Sequence, residues 1–344
     1  MKTQKNLLKK NILKKIFIKI CRLLNYEIID QSNFYIPTQK KSLVENLSLH
    51  GKKSITIPLG ETKITRKVNA LTIIFRSCTN VNMLTQSKKR LFDEKKSEYT
   101  FRSLNSIIKS VIKAKKNLSE VKFNIIVIDH NSEKNDLEQI KTQLNFSGLK
   151  NSLISLDVNE FKNKIKKVNA ENKNVTENQI SNMSNIHKSF LTAEKQCEDL
   201  IYLVEDDYLH KLNSIEEMIF TYERISSQIK SELIMCPADY PYLYNKIEPT
   251  NIFFGLSQHW RVTSESLCTF LTSSNILKKH WNKFTSMCQY EHYPFEQPLH
   301  DIYKSEYCLS PVPSLAIHLT NINSIYGLSP GIDWKKIWEE NKNY

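Results

Sequence analysis

Glycine and proline are scarce in this sequence, with 6 glycines and 10 prolines among 344 residues. Such a composition excludes collagen-like chains and disordered chains rich in these two residues. No segment repeats at a fixed period, which excludes a repeat architecture. Because 40% of the residues are hydrophobic, the chain can bury the core of one large domain with short appendages.

Closely spaced pairs of cysteines are also missing. The seven cysteines are Cys21, Cys78, Cys197, Cys236, Cys268, Cys288 and Cys308. No two of them have the C-x-x-C spacing of a zinc knuckle, so a structural zinc site of that kind is excluded. Several lie in apolar runs, and we expect free, buried thiols in a reducing compartment, the cytoplasm.

Acidic residues are absent from the first 24 positions, which carry seven lysines and one arginine. Within residues 1–27, apolar side chains recur every four positions from Leu8 to Leu24, which predicts an amphipathic helix. Its longest apolar run has three residues, too few to cross a bilayer, and it lacks a signal-peptide core. We expect it to lie on the anionic inner face of a membrane. Packing on the main domain, or on a partner protein, is the alternative.

Charge of one sign does not dominate the remaining 320 residues, which carry only +5 of the net charge of +13. This balance excludes a globally basic protein that binds nucleic acid. Residues 28–68 are polar and rich in turn formers, and we interpret them as a connector. The main domain is predicted at 69–330, followed by a C-terminal helix or tail at 331–344.

Strand-like and helix-like segments alternate through the main domain. The predicted strands are 71–75, 122–128, 152–158, 200–204 and 232–236, and the predicted helices are 99–114, 135–144, 176–197 and 214–227. Continuous apolar strands that alternate with helices are typical of an α/β fold with a mostly parallel sheet flanked by helices. In such sheets ligands bind beyond the carboxyl ends of the strands.

Polar groups follow four of these strands directly. They are Arg76 and Ser77 after the first strand, Asp129 after the second, Glu205, Asp206 and Asp207 after the fourth, and Asp239 and Tyr240 after the fifth. Three consecutive carboxylates at the end of a buried strand repel each other unless a positive charge neutralises them. A hard divalent cation does so with oxygen ligands, and it leaves open positions for phosphate oxygens.

An apolar strand followed by Glu205-Asp206-Asp207 resembles the acidic motif of GT-A-fold glycosyltransferases, particularly family 2 and N-acetylglucosaminyltransferase I. The resemblance covers roughly residues 69–320. It implies a Rossmann-like nucleotide-diphospho-sugar transferase fold, a UDP- or GDP-sugar donor, and Mn²⁺ or Mg²⁺. In this family the last acid, Asp207, contacts the metal, and Asp206 lies near the donor sugar and ribose.

The same resemblance implies further donor-site residues. Asp129 contacts the nucleoside, and Arg76, Ser77 and Glu205 belong to the donor site. Asn185 and Lys188 correspond loosely to donor-facing positions on the helix that leads into the motif. The family's Arg-Asn-x-Gly stretch is absent from that helix.

An inverting transferase also needs a general base near the acceptor hydroxyl. The resemblance implies Glu296, with Asp301 as the alternative. It further implies that His318, after the last strand, completes the metal site or contacts the diphosphate. A structural role is the other interpretation of this histidine.

Acceptor contacts are expected after the fifth strand, where aromatic and polar side chains suit the two kinds of surface of a sugar. The candidates are Asp239, Tyr240, Trp260 and Arg261. A glycan or lipid-linked acceptor, used in the synthesis of cell-surface polysaccharide, fits a chain attached to the cytoplasmic face of a membrane.

Two other functions are consistent with parts of the sequence. The acidic run also resembles the Mg²⁺-binding opening of a response-regulator receiver domain, with Asp239 as the phospho-accepting residue. The spacing of 32 residues between Asp207 and Asp239 is short for that fold. The second alternative is a catalytically inactive GT-A domain that acts as a scaffold.

Overall fold

The computed structural model describes residues 12–26, 53–56, 60–80, 90–169, 171–245, 248–342 and 344. The helices are α1 (Ile12–Leu23), α2 (Lys96–Asn117), α3 (Lys134–Phe146), α4 (Asn159–Lys162), α5 (Glu177–Gln196), α6 (Ser214–Ile229), α7 (Ser274–Lys279), α8 (Trp281–Gln289), α9 (Gln297–Tyr303) and α10 (Trp334–Glu340). The strands are β1 (Lys53–Thr56), β2 (Gly60–Lys63), β3 (Ala70–Ser77), β4 (Lys122–Asp129), β5 (Lys150–Ser155), β6 (Leu200–Glu205), β7 (Tyr208–His210), β8 (Leu233–Met235), β9 (Ile252–Phe254), β10 (His259–Val262), β11 (Phe270–Ser273), β12 (Tyr307–Val312) and β13 (Ala316–His318).

A nine-stranded sheet in the order β5-β4-β3-β6-β11-β8-β12-β10-β9 forms the centre of the fold. Strands β5, β4, β3 and β6 are mutually parallel, and β8 and β12 are parallel neighbours. Only β10 and β11 run against the common direction. The predicted α/β class, with a mostly parallel sheet flanked by helices, is therefore confirmed.

Both faces of the sheet are buried, which explains why its inner strands are continuous apolar runs. On β3, Leu71, Ile73 and Phe75 belong to one core cluster, and Ile74 belongs to the other. This alternation is the two-residue period of an extended strand. Helices α2 and α6 contribute to the first cluster, and α5, α8 and α9 contribute to the second.

The start of α5 is fixed by a capping box. The hydroxyl of Thr176 accepts from the backbone N–H of Gln179, and the Gln179 side chain accepts from the backbone N–H of Thr176. These bonds satisfy two helix-terminal donors. The cap fixes which residues of the first turns of α5, Asn182 among them, face the ends of β3 and β4.

Strands β7 and β13 form a separate antiparallel pair in which His318 lies opposite Tyr208. The backbone N–H of Leu319 donates to the carbonyl of Asp207 at 2.9 Å and continues this pairing. The pair therefore brings the end of the chain's last strand against the Glu205-Asp206-Asp207 turn.

Helix α10, within the predicted tail, covers the start of α2. The ring of Trp338 stacks on Phe92 with centroids 4.1 Å apart, and the guanidinium of Arg102 lies over the same indole at 4.0 Å. Arg102 also donates to the carbonyl of Trp338. Trp338 and Tyr99 belong to a third core cluster, against which Phe92 packs.

The N-terminal region is described in part. Helix α1 occupies part of the predicted amphipathic segment, and β1 and β2 form an antiparallel hairpin within the predicted connector. Residues 1–11, 27–52 and 57–59 lie outside the described residues. Among the helices that the structure describes, none is long and apolar enough to span a membrane.

Candidate functional site

The carboxyl ends of β3, β4 and β6 meet at one edge of the sheet. Ser77 lies opposite Asp129 in the β3–β4 register, and Arg76 lies opposite Glu205 in the β3–β6 register. From β3 the chain builds β4 and β5 on one side and then returns to place β6 on the other side. The strand order therefore reverses between β3 and β6, and such a reversal creates a ligand-binding crevice in open α/β sheets.

Each carboxylate of the Glu205-Asp206-Asp207 run contacts its own basic side chain. The partners are Arg76 for Glu205, at 2.9 Å, Lys96 for Asp206, and His318 for Asp207, at 3.3 Å. The sequence predicted that a cation must neutralise this run. The protein itself supplies three basic groups from three separate elements.

Asp206 is held by groups from β3 and α2. Lys96 donates to Oδ1, and Oδ2 accepts from the hydroxyl of Thr100 at 2.8 Å and from the backbone N–H of Cys78 at 3.1 Å. Both oxygens of this carboxylate thus have protein donors. Asp206 fixes the first turn of α2 against the end of β3.

Asp207 and His318 form a buried pair supported by Thr320. The Thr320 hydroxyl donates to Asp207 Oδ2 at 2.6 Å and lies 2.8 Å from His318 Nε2. His318 Nδ1 lies 3.0 Å from the carbonyl oxygen of Tyr326. A carbonyl oxygen only accepts, so Nδ1 carries a proton and Nε2 faces Asp207.

The electrostatics of this pair follow from its burial and its contact. Burial opposes charge on both groups, yet the mutual attraction lowers the pKa of Asp207 and raises the pKa of His318. A neutral imidazole would point the lone pair of Nε2 at a carboxylate oxygen. A proton or a metal cation between Nε2 and Oδ2 would relieve this repulsion.

These donors fit a divalent metal. A carboxylate oxygen and an imidazole nitrogen are both ligands of Mn²⁺. The bond from Nδ1–H to a backbone carbonyl is the outer-shell contact that orients a metal-ligating histidine. Among the described residues, no group of three or more His, Cys, Asp or Glu side chains is arranged to hold a metal.

Asp129 lies in a polar turn next to the crevice. Its Oδ1 accepts from the hydroxyls of Ser77, at 2.6 Å, and Ser132, at 2.5 Å. Burial raises the pKa of this carboxyl, and these hydrogen bonds oppose the rise. On the neighbouring helix, Ser181 contacts Nδ1 of His130 at 2.6 Å, and Asn182 accepts from Arg76 at 3.2 Å.

The two residues predicted farther along α5 lie in different surroundings. Asn185 is buried and donates to the carbonyl of Ile128 at 3.1 Å, next to Asp129 in the chain. Its Oδ1 is buried and has no partner among the described residues. Lys188 pairs with Glu160 on α4 at 3.1 Å, on a face of α5 away from the acidic run.

Glu296 directly precedes α9 and Asp301 is the fifth residue of that helix, and the two lie in different environments. Glu296 is the N-cap residue, and its carboxylate lies 3.8 Å from the sulfur of Cys268. Thr269, the next residue, donates to Glu205 at the crevice. Asp301 is partly exposed and pairs with Lys304 at 2.6 Å, which lowers its pKa.

The predicted acceptor residues divide into two groups. Asp239 is fully buried, and its two oxygens accept from Arg261 and from the hydroxyl of Tyr244. Burial raises the pKa of Asp239, and both partners oppose the rise. The Arg261 guanidinium also lies 4.8 Å from the centre of the Tyr244 ring. A phospho-accepting aspartate must be accessible, so this burial argues against the receiver interpretation.

Tyr240 and Trp260 are both fully buried. The hydroxyl of Tyr240 contacts that of Tyr208 at 2.7 Å, and the Trp260 indole donates to Glu217 at 3.3 Å. Tyr240 thus packs against Tyr208, the residue on whose ring His318 stacks. Trp260 belongs to a separate hydrogen-bond network around Glu217 in the first turn of α6.

Sequence reasoning missed Lys96, Thr100 and Thr320. Lys96 is one of many lysines, and nothing in its spacing distinguishes it. Thr320 lies two positions after His318, and this offset is a usable signal, because residues two apart on a strand share a face. Thr100 lies four positions after Lys96, which puts both side chains on one face of a helix.

No protein-family model matches this chain, and no curated protein matches it. Among solved structures it is similar to a fragment of TarS from S. aureus, residues 1–349, at 11% identity and a TM-score of 0.39, covering 70% of this chain and 57% of that one. It is also similar to UDP-glucose pyrophosphorylase complexed with UDP-glucose, at 6% identity and a TM-score of 0.38, covering 80% and 97%. A third is the mannosyltransferase PcManGT from Pyrobaculum calidifontis with GDP-Man and Mn²⁺, at 10% identity and a TM-score of 0.34, covering 67% and 55%. Similarities this low assign neither a family nor an activity.

Proposed function

We propose that this chain is a metal-dependent glycosyltransferase that uses a nucleotide-diphosphate sugar, UDP- or GDP-linked. One observation carries the proposal. The Asp207–His318 pair, with Nε2 and Oδ2 3.3 Å apart, lies at the reversal point of the strand order. An oxygen and a nitrogen ligand at a nucleotide-type crevice suit a cation that binds a diphosphate.

The remaining polar groups of the crevice fit a donor of this kind. Asp129 and Ser77 lie at the nucleoside end of the crevice in this proposal, with Arg76 and Glu205 between them and Asp207. Arg76 is buried and already paired with Glu205, so it is a positioning residue for this strand edge. Asn185 supports the Asp129 turn through Ile128.

Asp207 and His318 would hold Mn²⁺ or Mg²⁺. Such an ion supplies positive charge that neutralises the diphosphate as it leaves. Thr320 and the Tyr326 carbonyl orient the two ligands before the donor binds. An oriented site loses little entropy when the donor binds.

The proposed reaction is a displacement at the anomeric carbon. The acceptor hydroxyl oxygen forms a bond to that carbon, and the bond between the carbon and the diphosphate oxygen breaks. The hydroxyl proton passes to a carboxylate of the protein, and the nucleoside diphosphate leaves with the bonding electron pair. Inversion of configuration follows from a single displacement.

Glu296 is the better candidate for the general base. It lies beside Cys268, and the next residue, Thr269, contacts Glu205 in the crevice. Asp301 pairs with Lys304, and this contact makes it a weaker base. A general base must reach the proton that it removes, and Glu296 is nearer the acidic run.

The acceptor is proposed to be a glycan or a lipid-linked saccharide, used in the synthesis of surface polysaccharide. Arg261 and Tyr244, held by Asp239, offer a guanidinium and an aromatic ring next to one another. This pairing suits the hydroxyls and the apolar face of a sugar. Tyr240 and Trp260 act through packing in this proposal.

The test is thermal unfolding of the full chain with UDP, GDP, CDP or dTDP, each with Mn²⁺ or with EDTA. A ligand at about 100 times its Kd stabilises the folded state by about 2.7 kcal/mol. We expect one nucleotide to raise the Tm, and to do so more strongly with the metal. No shift with any of the four nucleotides would contradict the proposal.

Turnover distinguishes an enzyme from an inactive scaffold. The nucleotide that raises the Tm is then supplied as nucleotide sugars that carry different sugars, and the release of nucleoside diphosphate is measured. Release supports the transferase. Tight, metal-dependent binding without release from any conjugate, with or without an added saccharide acceptor, favours the inactive scaffold.

Attachment to an anionic membrane is the second part of the proposal. On α1, the apolar side chains of Phe17 and Leu23 are 59% and 77% exposed, and Ile16 and Ile20 are also exposed. Arg22 lies two positions from Ile20 and therefore on the opposite side of the helix, and Lys19 borders the apolar face. An exposed apolar face beside a basic face is the pattern of a helix that lies in a lipid interface.

This attachment is tested by sedimentation with vesicles. The full chain should bind vesicles that contain phosphatidylserine and not vesicles of phosphatidylcholine alone. Replacing Phe17 and Ile20 with serine should release the protein. The matched control replaces Lys115 and Lys116, exposed lysines at the end of α2, with glutamine and should bind as before. Equal binding of all three proteins would contradict attachment through α1.

A further inference from the structure

Lys96 places an ammonium group inside the proposed donor crevice. It belongs to the first turn of α2, and its side chain is only 14% exposed. It contacts Oδ1 of Asp206, whose side chain is 13% exposed. The two side chains form an ion pair that is largely shielded from water.

Lys96 has N–H donors beyond the one that Asp206 accepts. An ammonium has three N–H donors, and among the described residues Asp206 accepts one of them. The charge of Lys96 also acts on Asp207, which the neighbouring His318 contacts. Lys96 therefore lies within electrostatic reach of the residue proposed to bind the metal.

The contacts of Asp206 explain how Lys96 is held there. The Asp206 carboxylate accepts from Thr100 and from the Cys78 backbone, in addition to Lys96. These three donors use both oxygens. The carboxylate thus holds Lys96 in position, and with about four acceptor sites it can accept one further hydrogen bond from the donor.

We propose that Lys96 is a phosphate-binding residue of the donor site, held in position by Asp206, and that it acts beside the metal on the diphosphate. This inference rests on the proposed function. The nucleoside diphosphate that leaves carries up to three negative charges, so one divalent cation does not neutralise it, and Lys96 supplies further positive charge. The site therefore keeps part of its diphosphate affinity when the metal is removed.

The test compares the affinities of the nucleoside and the nucleoside diphosphate for the full chain. Affinities are measured by calorimetry for Lys96→Met, Lys96→Arg and Lys95→Met, with Mn²⁺ and with EDTA. Lys95 is the matched control because it is adjacent, exposed and equally charged. Loss of a hydrogen bond to a charged group corresponds to roughly tenfold to hundredfold in affinity.

We expect Lys96→Met to weaken diphosphate binding by that factor in both buffers while nucleoside affinity stays unchanged. Lys96→Arg should retain most of the wild-type affinity for the diphosphate, and Lys95→Met should bind the diphosphate as the wild type does. A purely structural role of Lys96 would weaken nucleoside and diphosphate together. Unchanged diphosphate affinity in Lys96→Met would overturn the inference.

Lys96→Gln provides a second variant if Lys96→Met does not fold, since an amide still donates to Asp206 but carries no charge. The same split between nucleoside and diphosphate is expected, and its absence would overturn the inference. Wild-type protein that binds no nucleoside diphosphate would refute the proposed function itself. The two failures are therefore distinguishable.

Discussion

The imidazole of His318 stacks on the ring of Tyr208, with centroids 4.8 Å apart and planes 17° apart. The two residues face each other across the β7–β13 pair. Tyr208 directly follows Asp207 in the chain, so the stack fixes the histidine beside that carboxylate. The hydroxyl of Tyr208 is in turn held by Tyr240. Packing behind the site thus determines the geometry of the proposed metal ligands.

Asp207→Asn should abolish the metal dependence of nucleotide binding, because an amide oxygen is a poorer ligand and carries no charge. His318→Gln should weaken the metal-dependent part of nucleotide binding by about tenfold to hundredfold. Both effects are measured as the difference in nucleoside diphosphate affinity with Mn²⁺ and with EDTA. Asp301→Asn is the control and should show the wild-type difference. An Asp207→Asn protein that responds to Mn²⁺ normally would refute the ligand assignment.

Glu296→Gln should lower turnover of the nucleotide sugar by about 10²- to 10⁴-fold, the usual contribution of a general base. Donor affinity should stay within a factor of a few, since Glu296 acts on the acceptor. Asp301→Asn should retain most activity. Initial rates and donor affinity are both measured. The opposite ranking of the two variants would make Asp301 the base.

Glu223 should make folding stability depend on pH. Burial raises the pKa of Glu223 to about 7 from its ordinary 4.5. Because the pKa is higher in the folded state, the associated stability is present below about pH 4.5 and is lost as pH rises through 7. The loss is at most about 3 kcal/mol.

The measurement is the free energy of unfolding in urea at pH 4.5, 6 and 8, for wild type and Glu223→Gln. An amide retains an acceptor for the backbone N–H of Val68 and does not titrate. The variant should therefore gain stability relative to wild type as pH rises. A difference that stays constant across this range would show that Glu223 does not titrate in it.

Trp260→Phe should destabilise the fold by about 1 kcal/mol while leaving donor affinity unchanged. The substitution removes the indole N–H that donates to buried Glu217, and a typical hydrogen bond contributes about this amount. Urea unfolding measures the stability. If acceptor affinity falls and stability does not, Trp260 contacts the acceptor as the sequence predicted.

The sheet could be predicted from the sequence because its inner strands are covered on both faces. Residues 71–75, 122–128 and 200–204 are continuous apolar runs for that reason, and polar groups follow each one. The antiparallel strand β11 was not predicted, because it has only four residues and two of them are polar. A segment this short shows no clear strand pattern in the sequence.

The candidate site was predicted less completely than the sheet. The acidic run and His318 follow apolar strands, which makes them visible in the sequence. The pairing of Arg76 with Glu205 depends on strand register, and that of Lys96 with Asp206 depends on how α2 returns to the sheet. Neither is encoded by spacing. Lys188 had the right position along α5 but pairs with Glu160.

The packing of Trp338 on Arg102 joins residues that are 236 positions apart. During synthesis on a ribosome, α2 emerges long before α10 does. Trp338 therefore cannot cover the apolar side chains of Phe92 and Tyr99 until nearly the whole chain has been synthesised. Apolar side chains exposed during synthesis are sites at which chaperones bind. The first turn of α2 carries Lys96, so the last helix of the chain covers the same helix end that supplies this residue of the proposed crevice.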